Sequence, residues 1–251
     1  MWGHETWTVL LAGGISAAIA VGIAWFLRKR EFEPEDVTIG FLGPSLAAMY
    51  LLVLALSLAT EWQTIGSAQQ AVGNEAVAVR QIYWAASGLP EPASSQLATQ
   101  VRGYLSTVIH HDWPQMEDGV LDDRSDQELT AMSTFVLRLN TTTSGASNAQ
   151  QYALSQLSVL ASARAQRASA TGSRLPLGVL AAVIATSLIV CAFPFAGGIR
   201  SDKVSLAIAV LQSSLVAITA VVIFQLNNPF TGPLATHPDP LTAVAALVGT
   251  R

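Results

Sequence analysis

Residues 41–86 read FLGPSLAAMYLLVLALSLATEWQTIGSAQQAVGNEAVAVRQIYWAA, and they decide the fold. The first half carries no charge and is apolar on every side, the composition of a bilayer span, which takes about 20 such residues at about 1.5 Å each. At Glu61-Trp62 the character changes without a Gly-Pro break. From there Ile65, Ala68, Val72, Glu75, Val79 and Ile82 recur at spacings of three and four, a packing seam of helical period. A single helix that begins in lipid and ends in water is the reading. One acid, Glu75, stands on the seam where an apolar residue belongs.

Working outward, composition sets the class. Of 251 residues 51% are hydrophobic and 12% charged, against about 25% charged in an ordinary soluble domain. The apolar residues cluster in four uncharged runs, 7–27, 39–60, 175–199 and 204–226, each long enough to cross a bilayer as a helix. The formal charge of −4 excludes the basic balance of a nucleic-acid binder. One cysteine, Cys191, lies inside the third run, so one chain holds no disulfide framework and no Cys-based zinc site. The first run begins without a basic n-region and ends in Arg28-Lys29-Arg30 instead of a small-residue cleavage site, which reads as a retained span. Within it Gly14, Ala18 and Gly22 are spaced for close helix approach.

The expected fold is an all-α integral membrane protein: four transmembrane helices, with a helical extramembrane bundle inserted between spans two and three. The expected divisions are 1–60 for spans one and two, 61–174 for the bundle, 175–230 for spans three and four, and 231–251 for a tail. Arg28, Lys29 and Arg30 follow span one, and Arg200 and Lys203 lie between spans three and four. The positive-inside rule places both loops in the cytoplasm of a plasma (inner) membrane, with the bundle and both termini outside. In the bundle a helix over 93–110 presents Leu97, Val101, Tyr104, Leu105 and Val108 on one face and is expected to stop at Asp112-Trp113-Pro114. Further helices are expected over 127–140 and 148–170, the latter with Leu154, Leu157, Ala161, Arg164 and Ala168 in helical register. The apolar tail segment 241–248 is too short to span and is expected along the interface or capping the bundle.

Charge on a seam needs a partner. Glu75 is expected to pair with Arg164 or, one turn on, Arg167, either to fix helix register or to serve gating. In span four Ser205, Gln212 and Thr219 are seven apart and share a face, with Ser213 and Ser214 beside it, lining a pore or bonding between helices. His110-His111-Asp112 is the densest group of potential ligands, but adjacent residues on a helix diverge and no H-x-x-x-H or G-x-S-x-G spacing exists, so no enzyme, no metal and no cofactor is expected.

The Trp62-rooted helix with Asn74-Glu75-Ala76, the Tyr104 to Asp112-Trp113 segment, the Arg164 to Leu175-Pro176 approach and the Leu226-Asn227-Asn228-Pro229-Phe230-Thr231-Gly232 ending together resemble the bestrophin-like domain-of-unknown-function family. Where that family is expected to carry an acid after the leucine, this chain has Asn227. The resemblance implies kinship with anion channels. Read from the residues, the expected function is a homo-oligomeric ion channel lined by span two, its partners being the lipid bilayer, copies of itself and inorganic ions. Ser57, Thr60 and Glu61 cluster at the outer end of that span, and Glu61 repeated around an axis forms a carboxylate ring that admits cations. Ten acids against seven arginines over 61–174 add to a cation-attracting vestibule. The alternatives are an anion channel and a non-conducting membrane scaffold.

Overall fold

A computed structural model of the chain describes residues 36–120, 123–172, 177–196, 203–226, 228–232 and 235–249. Eight α-helices are described: α1 (Asp36–Ala86), α2 (Ala93–Thr107), α3 (Trp113–Glu117), α4 (Arg124–Leu137), α5 (Ser144–Gly172), α6 (Leu177–Ala196), α7 (Lys203–Leu226) and α8 (Asp239–Gly249), with a π turn (Val108–Asp112) joining α2 to α3. No strand occurs among the described residues. The fold is all-helical, as the sequence dictates. The first apolar run, with Gly14, Ala18 and Gly22, lies outside the described residues.

α1 is unbroken for 51 residues and carries Pro44 inside it. Among the described residues it is the helix whose length and apolarity suffice to cross a membrane, counted from Gly43. α6 and α7 contribute the shorter apolar stretches Ala181–Cys191 and Val210–Ile223.

The chain divides into two compact units. The first comprises residues 1–62 and 175–227, the second 63–174 and 228–251. In the first unit, Tyr50, Val190 and Val216 form one buried cluster and Val183 and Ile223 another, with Val53, Leu54, Leu58 and Val179 packed around the latter. The Tyr50 hydroxyl donates to the Val216 carbonyl at 3.5 Å. Glycine at position 43 has a packing reason: a Cβ there would meet Phe193 Cε1 at 2.9 Å.

The second unit is a bundle built on the seam read from the sequence: Ile65, Ala68, Val72, Glu75, Val79 and Ile82 are all buried. Leu97, Val101, Tyr104, Leu105 and Val108 face them, and the core is completed by Leu129, Met132, Val136, Leu157 and Leu160. On α5 the buried register runs Ala153, Leu157, Leu160, Arg164, Arg167 and Thr171, whereas Ala161 is exposed. The expected seam therefore holds at Leu157 and Arg164 and misses at Ala161, because in so alanine-rich a helix small residues mark both faces.

Two boundaries differ from expectation. The helix over 93–110 does not stop before Pro114: Trp113 keeps helical dihedrals (φ −62°, ψ −50°) and the chain continues to Glu117. The π turn makes this possible, since Pro114 then falls in the first turn of α3, where its missing N–H costs nothing. The tail forms α8, whose Leu241, Val244 and Val248 enter the bundle core against α2. Arg102 Nε donates to the Val248 carbonyl at 3.2 Å, satisfying an orphan acceptor at that helix end.

Candidate functional site

The seam acid Glu75 lies at the centre of a buried polar network in the second unit. Glu75 is fully buried and Arg167 is 2% exposed. Arg167 Nε donates to Glu75 Oε2 at 2.7 Å and Nη2 to Oε1 at 3.1 Å, a two-pronged grip matched to the planar guanidinium. The Tyr104 hydroxyl donates to the same Oε1 at 2.6 Å. The π turn brings Asp112 within 3.4 Å of Arg167 Nη2, and Met116 Sδ receives Nη1. Arg164 takes another route: its Nε donates to Ser125 Oγ at 2.6 Å, Ser125 donates to Asp112 Oδ2, and its Nη1 pairs with Asp126 at the surface. Of the two candidate arginines it is Arg167 that meets Glu75.

The electrostatics follow from burial. Desolvation and the neighbouring Glu75 carboxylate both hold the Tyr104 hydroxyl well above its ordinary value, so it stays a donor. Burial would lower the Arg167 guanidinium, but the charge of Glu75 outweighs it and holds the group above its usual range. Arg167 also lies 6.0 Å above the Trp113 ring. Phe230 meets that indole edge-on, with centroids 5.6 Å apart. Phe230 is held by its own loop: its N–H donates to Asn228 Oδ1 at 3.0 Å, Asn228 Nδ2 donates to the Glu117 carbonyl, and Gly232 takes φ 93°. The Asn-Pro-Phe-Thr-Gly ending is thus a clasp that seats one aromatic ring; in the sequence Phe230 and Trp113 stood out as members of the motifs that carry the family resemblance, without a role at a site.

Ser57, Thr60 and Glu61 on α1 are not all turned the same way. Ser57 and Glu61, four apart, are 1% and 2% exposed, while Thr60 is exposed. Ser57 donates to the Val53 carbonyl at 2.8 Å and Thr60 to that of Leu56 at 2.9 Å, the usual back-bonding of helical hydroxyls. Glu61 Oε2 has no hydrogen-bond partner among the described residues. The carboxylate is covered by its own chain. The outward face of α1 instead carries Met49, Leu52 and Leu56, each 61–62% exposed.

On α7 the expected face is only partly described. Gln212 is exposed, Thr219 is half-buried and donates to Leu215 O at 2.7 Å, and the Ser205 side chain lies outside the described residues. Ser213 is 1% exposed and turned into the unit, and Ser214 donates to Val210 O. His110 and His111 are exposed whereas Asp112 is buried, so the three diverge. Among the described residues no group of three His, Cys, Asp or Glu could hold a metal ion.

An all-helical, membrane-integral chain with a buried Glu-Arg-Tyr centre and a Phe230 clasp is the class these features define. The sequence matches the bestrophin-like domain over residues 9–241, and the chain belongs to that family. No curated protein matches it. Solved structures of a bacterial bestrophin homologue from Klebsiella pneumoniae share its fold. One point-mutant form superposes with a TM-score of 0.70 at 13% identity, covering 98% of this chain and 97% of the other. A second mutant gives 0.69 at 11% identity over 100% and 97%. The form phased on zinc gives 0.65 at 12% over 97% and 95%. At such identities the likeness establishes the fold alone.

Proposed function

We propose that the chain is the subunit of a homo-oligomeric membrane ion channel whose central pore is lined by α1 of each copy. The observation that carries this is the outward face of α1. Met49, Leu52 and Leu56 are three and four apart, strongly exposed, and followed in the same register by Ala59, Gln63, Gly66 and Gln70 on an unbroken helix. An apolar stretch that gives way to small and polar residues suits a hydrophobic constriction opening into a wetted passage, and such constrictions gate by dewetting. Closed cyclic symmetry brings one such helix per copy to a common axis.

In this reading each copy has four spans, with residues 7–27 the first. The basic loops at Arg28 to Arg30 and at Arg200 and Lys203 face the cytoplasm of the plasma membrane. The acidic excess over 61–174 supports cation conduction. A Glu61 ring would add to it if the carboxylate turned out of its covered position. The anion-conducting alternative is favoured by two observations, family membership and the burial of Glu61.

Reconstitution into planar bilayers tests the reading. Channel events are expected, and Leu56→Ser should raise open probability or leak current. Reversal potentials under a salt gradient separate the two signs of ion, and a Glu61→Gln protein with unchanged selectivity removes the ring. A silent bilayer containing intact protein would leave the non-conducting scaffold as the better reading.

A further inference from the structure

We propose that Glu61 is a proton-binding site inside the first unit, and that the packing of α1 in this structure belongs to the chain with that proton bound. Tyr50, Leu54, Ser57 and Glu61 follow one another at spacings of four, three and four, which puts them on one face of the helix. That face is the inner one. Tyr50, Ser57 and Glu61 are all buried, and Leu54 packs against both apolar clusters of the unit. The row therefore ends on a carboxyl group, where the turns before it bury apolar or hydroxyl-bearing side chains.

A buried carboxylate stays ionised only beside a cation or several donors. The Ser57 hydroxyl is spent on the Val53 carbonyl, and Thr60 lies on the exposed side with its hydroxyl on Leu56. Among the described residues no salt bridge reaches Glu61, and its Oε2 finds no donor. The titratable residue of α6 is Cys191, that of α7 is Lys203, and that of the inner row of α1 is Tyr50. All three lie away from Glu61. Tyr50 packs at the level of Val190 and Val216 and Leu58 at that of Val183 and Ile223, so Glu61 comes beyond the second level while Cys191 and Lys203 fall on the side of the first. With no countercharge and no donor, the neutral acid is the form this packing accepts, because the anion would carry its full desolvation cost. Once the proton leaves, α1 has to yield at this turn for the carboxylate to reach water. The ligand is the proton, the usual cargo of a lone acid buried in a membrane-spanning unit. The site goes beyond the channel reading and stands without it.

The test uses the full chain in detergent, with the proton itself as the probe. Infrared difference spectra between acid and alkaline buffer should show a carboxylic-acid carbonyl band at the high frequency of a group without hydrogen bonds. The band should be missing from Glu61→Gln and displaced in Glu61→Asp, and its midpoint should lie at least about one pH unit above the ordinary glutamate value of about 4.3. Melting gives a second reading. A buried neutral acid contributes stability that is complete below its unfolded value and lost as pH rises, so the margin of Glu61→Gln over the parent should widen from about pH 5 to about pH 8. Glu61→Met, neutral and of similar length, should behave in the same way. A band that survives Glu61→Gln, no band at all, or a midpoint at the ordinary value would overturn the proposal. So would neutral variants that melt below the parent at both pH values or fail to fold, because each result means an ionised and partnered Glu61. None of these readings needs a conducting protein, so a failed proton site and a failed channel are told apart.

Discussion

Replacing Arg167 by methionine should harm the protein more than replacing Glu75 by glutamine, although the two residues form one pair. Glu75→Gln keeps the shape and one acceptor oxygen for Tyr104 and Arg167 Nη2 while its NH2 faces Arg167 Nε without a bond, and Arg167 retains Asp112 at 3.4 Å. The expected loss is about 2–3 kcal/mol, the worth of charge-assisted over neutral bonds at a buried site. Arg167→Met strands two carboxylates, Glu75 fully buried and Asp112 3% exposed. Breaking a buried pair costs about 3–5 kcal/mol, and two stranded acids put this variant at the upper end. At about 2–4 °C per kcal/mol for a chain of this size, thermal midpoints in detergent should fall by about 4–12 °C and about 10–20 °C respectively.

Equal losses of thermal midpoint in the two variants would refute the assignment of Arg167 as the shared counter-ion of Glu75 and Asp112.

Tyr104→Phe should cost about 1.5–3 kcal/mol near neutrality, the loss of a hydrogen bond to a charged acceptor. The raised Tyr104 value makes its contribution complete below about pH 10 and lost above, so the variant should show a shallower alkaline decline in a melting series. Gly232→Ala forces a side chain into positive φ and should destabilise by about 1–2 kcal/mol, measured by denaturant midpoint. Phe230→Ala should cost about 3–5 kcal/mol and quench-shift the Trp113 fluorescence as the edge-on ring is removed.

The helices were legible where apolar residues recur against a polar background. The seam from Ile65 to Ile82 and the face from Leu97 to Val108 were readable residue by residue, because each is a row of branched or aromatic side chains among Gln, Ser and Arg. α5 was harder to phase, since alanine is at home on both faces, and its register is carried by Leu157, Leu160, Arg164 and Arg167. Pro114 misled about the end of α2, because a local rule about the preceding residue yields to a π turn that no spacing announces. The need of Glu75 for a basic partner was visible in the sequence. The roles of Asp112, Ser125, Tyr104 and Met116 were not, for they come from the α2–α3 stretch and from α4, and only the packed bundle brings both to Glu75 and the α5 arginines. Glu61 could be assigned to the end of a span but not to a side of it, since Ser57, Thr60 and Glu61 crowd one turn and face different ways.

The second unit is discontinuous in the chain, its two pieces flanking the apolar residues between them. Leu241, Val244 and Val248 plug its core, and Phe230 backs Trp113. A nascent chain that has released only residues 63–174 therefore exposes an unfilled slot along α2 until the stretch beyond α7 has left the ribosome. Quality control has a natural checkpoint there: protein shortened before α8 should be made and inserted, yet be taken by proteases as an unclosed bundle.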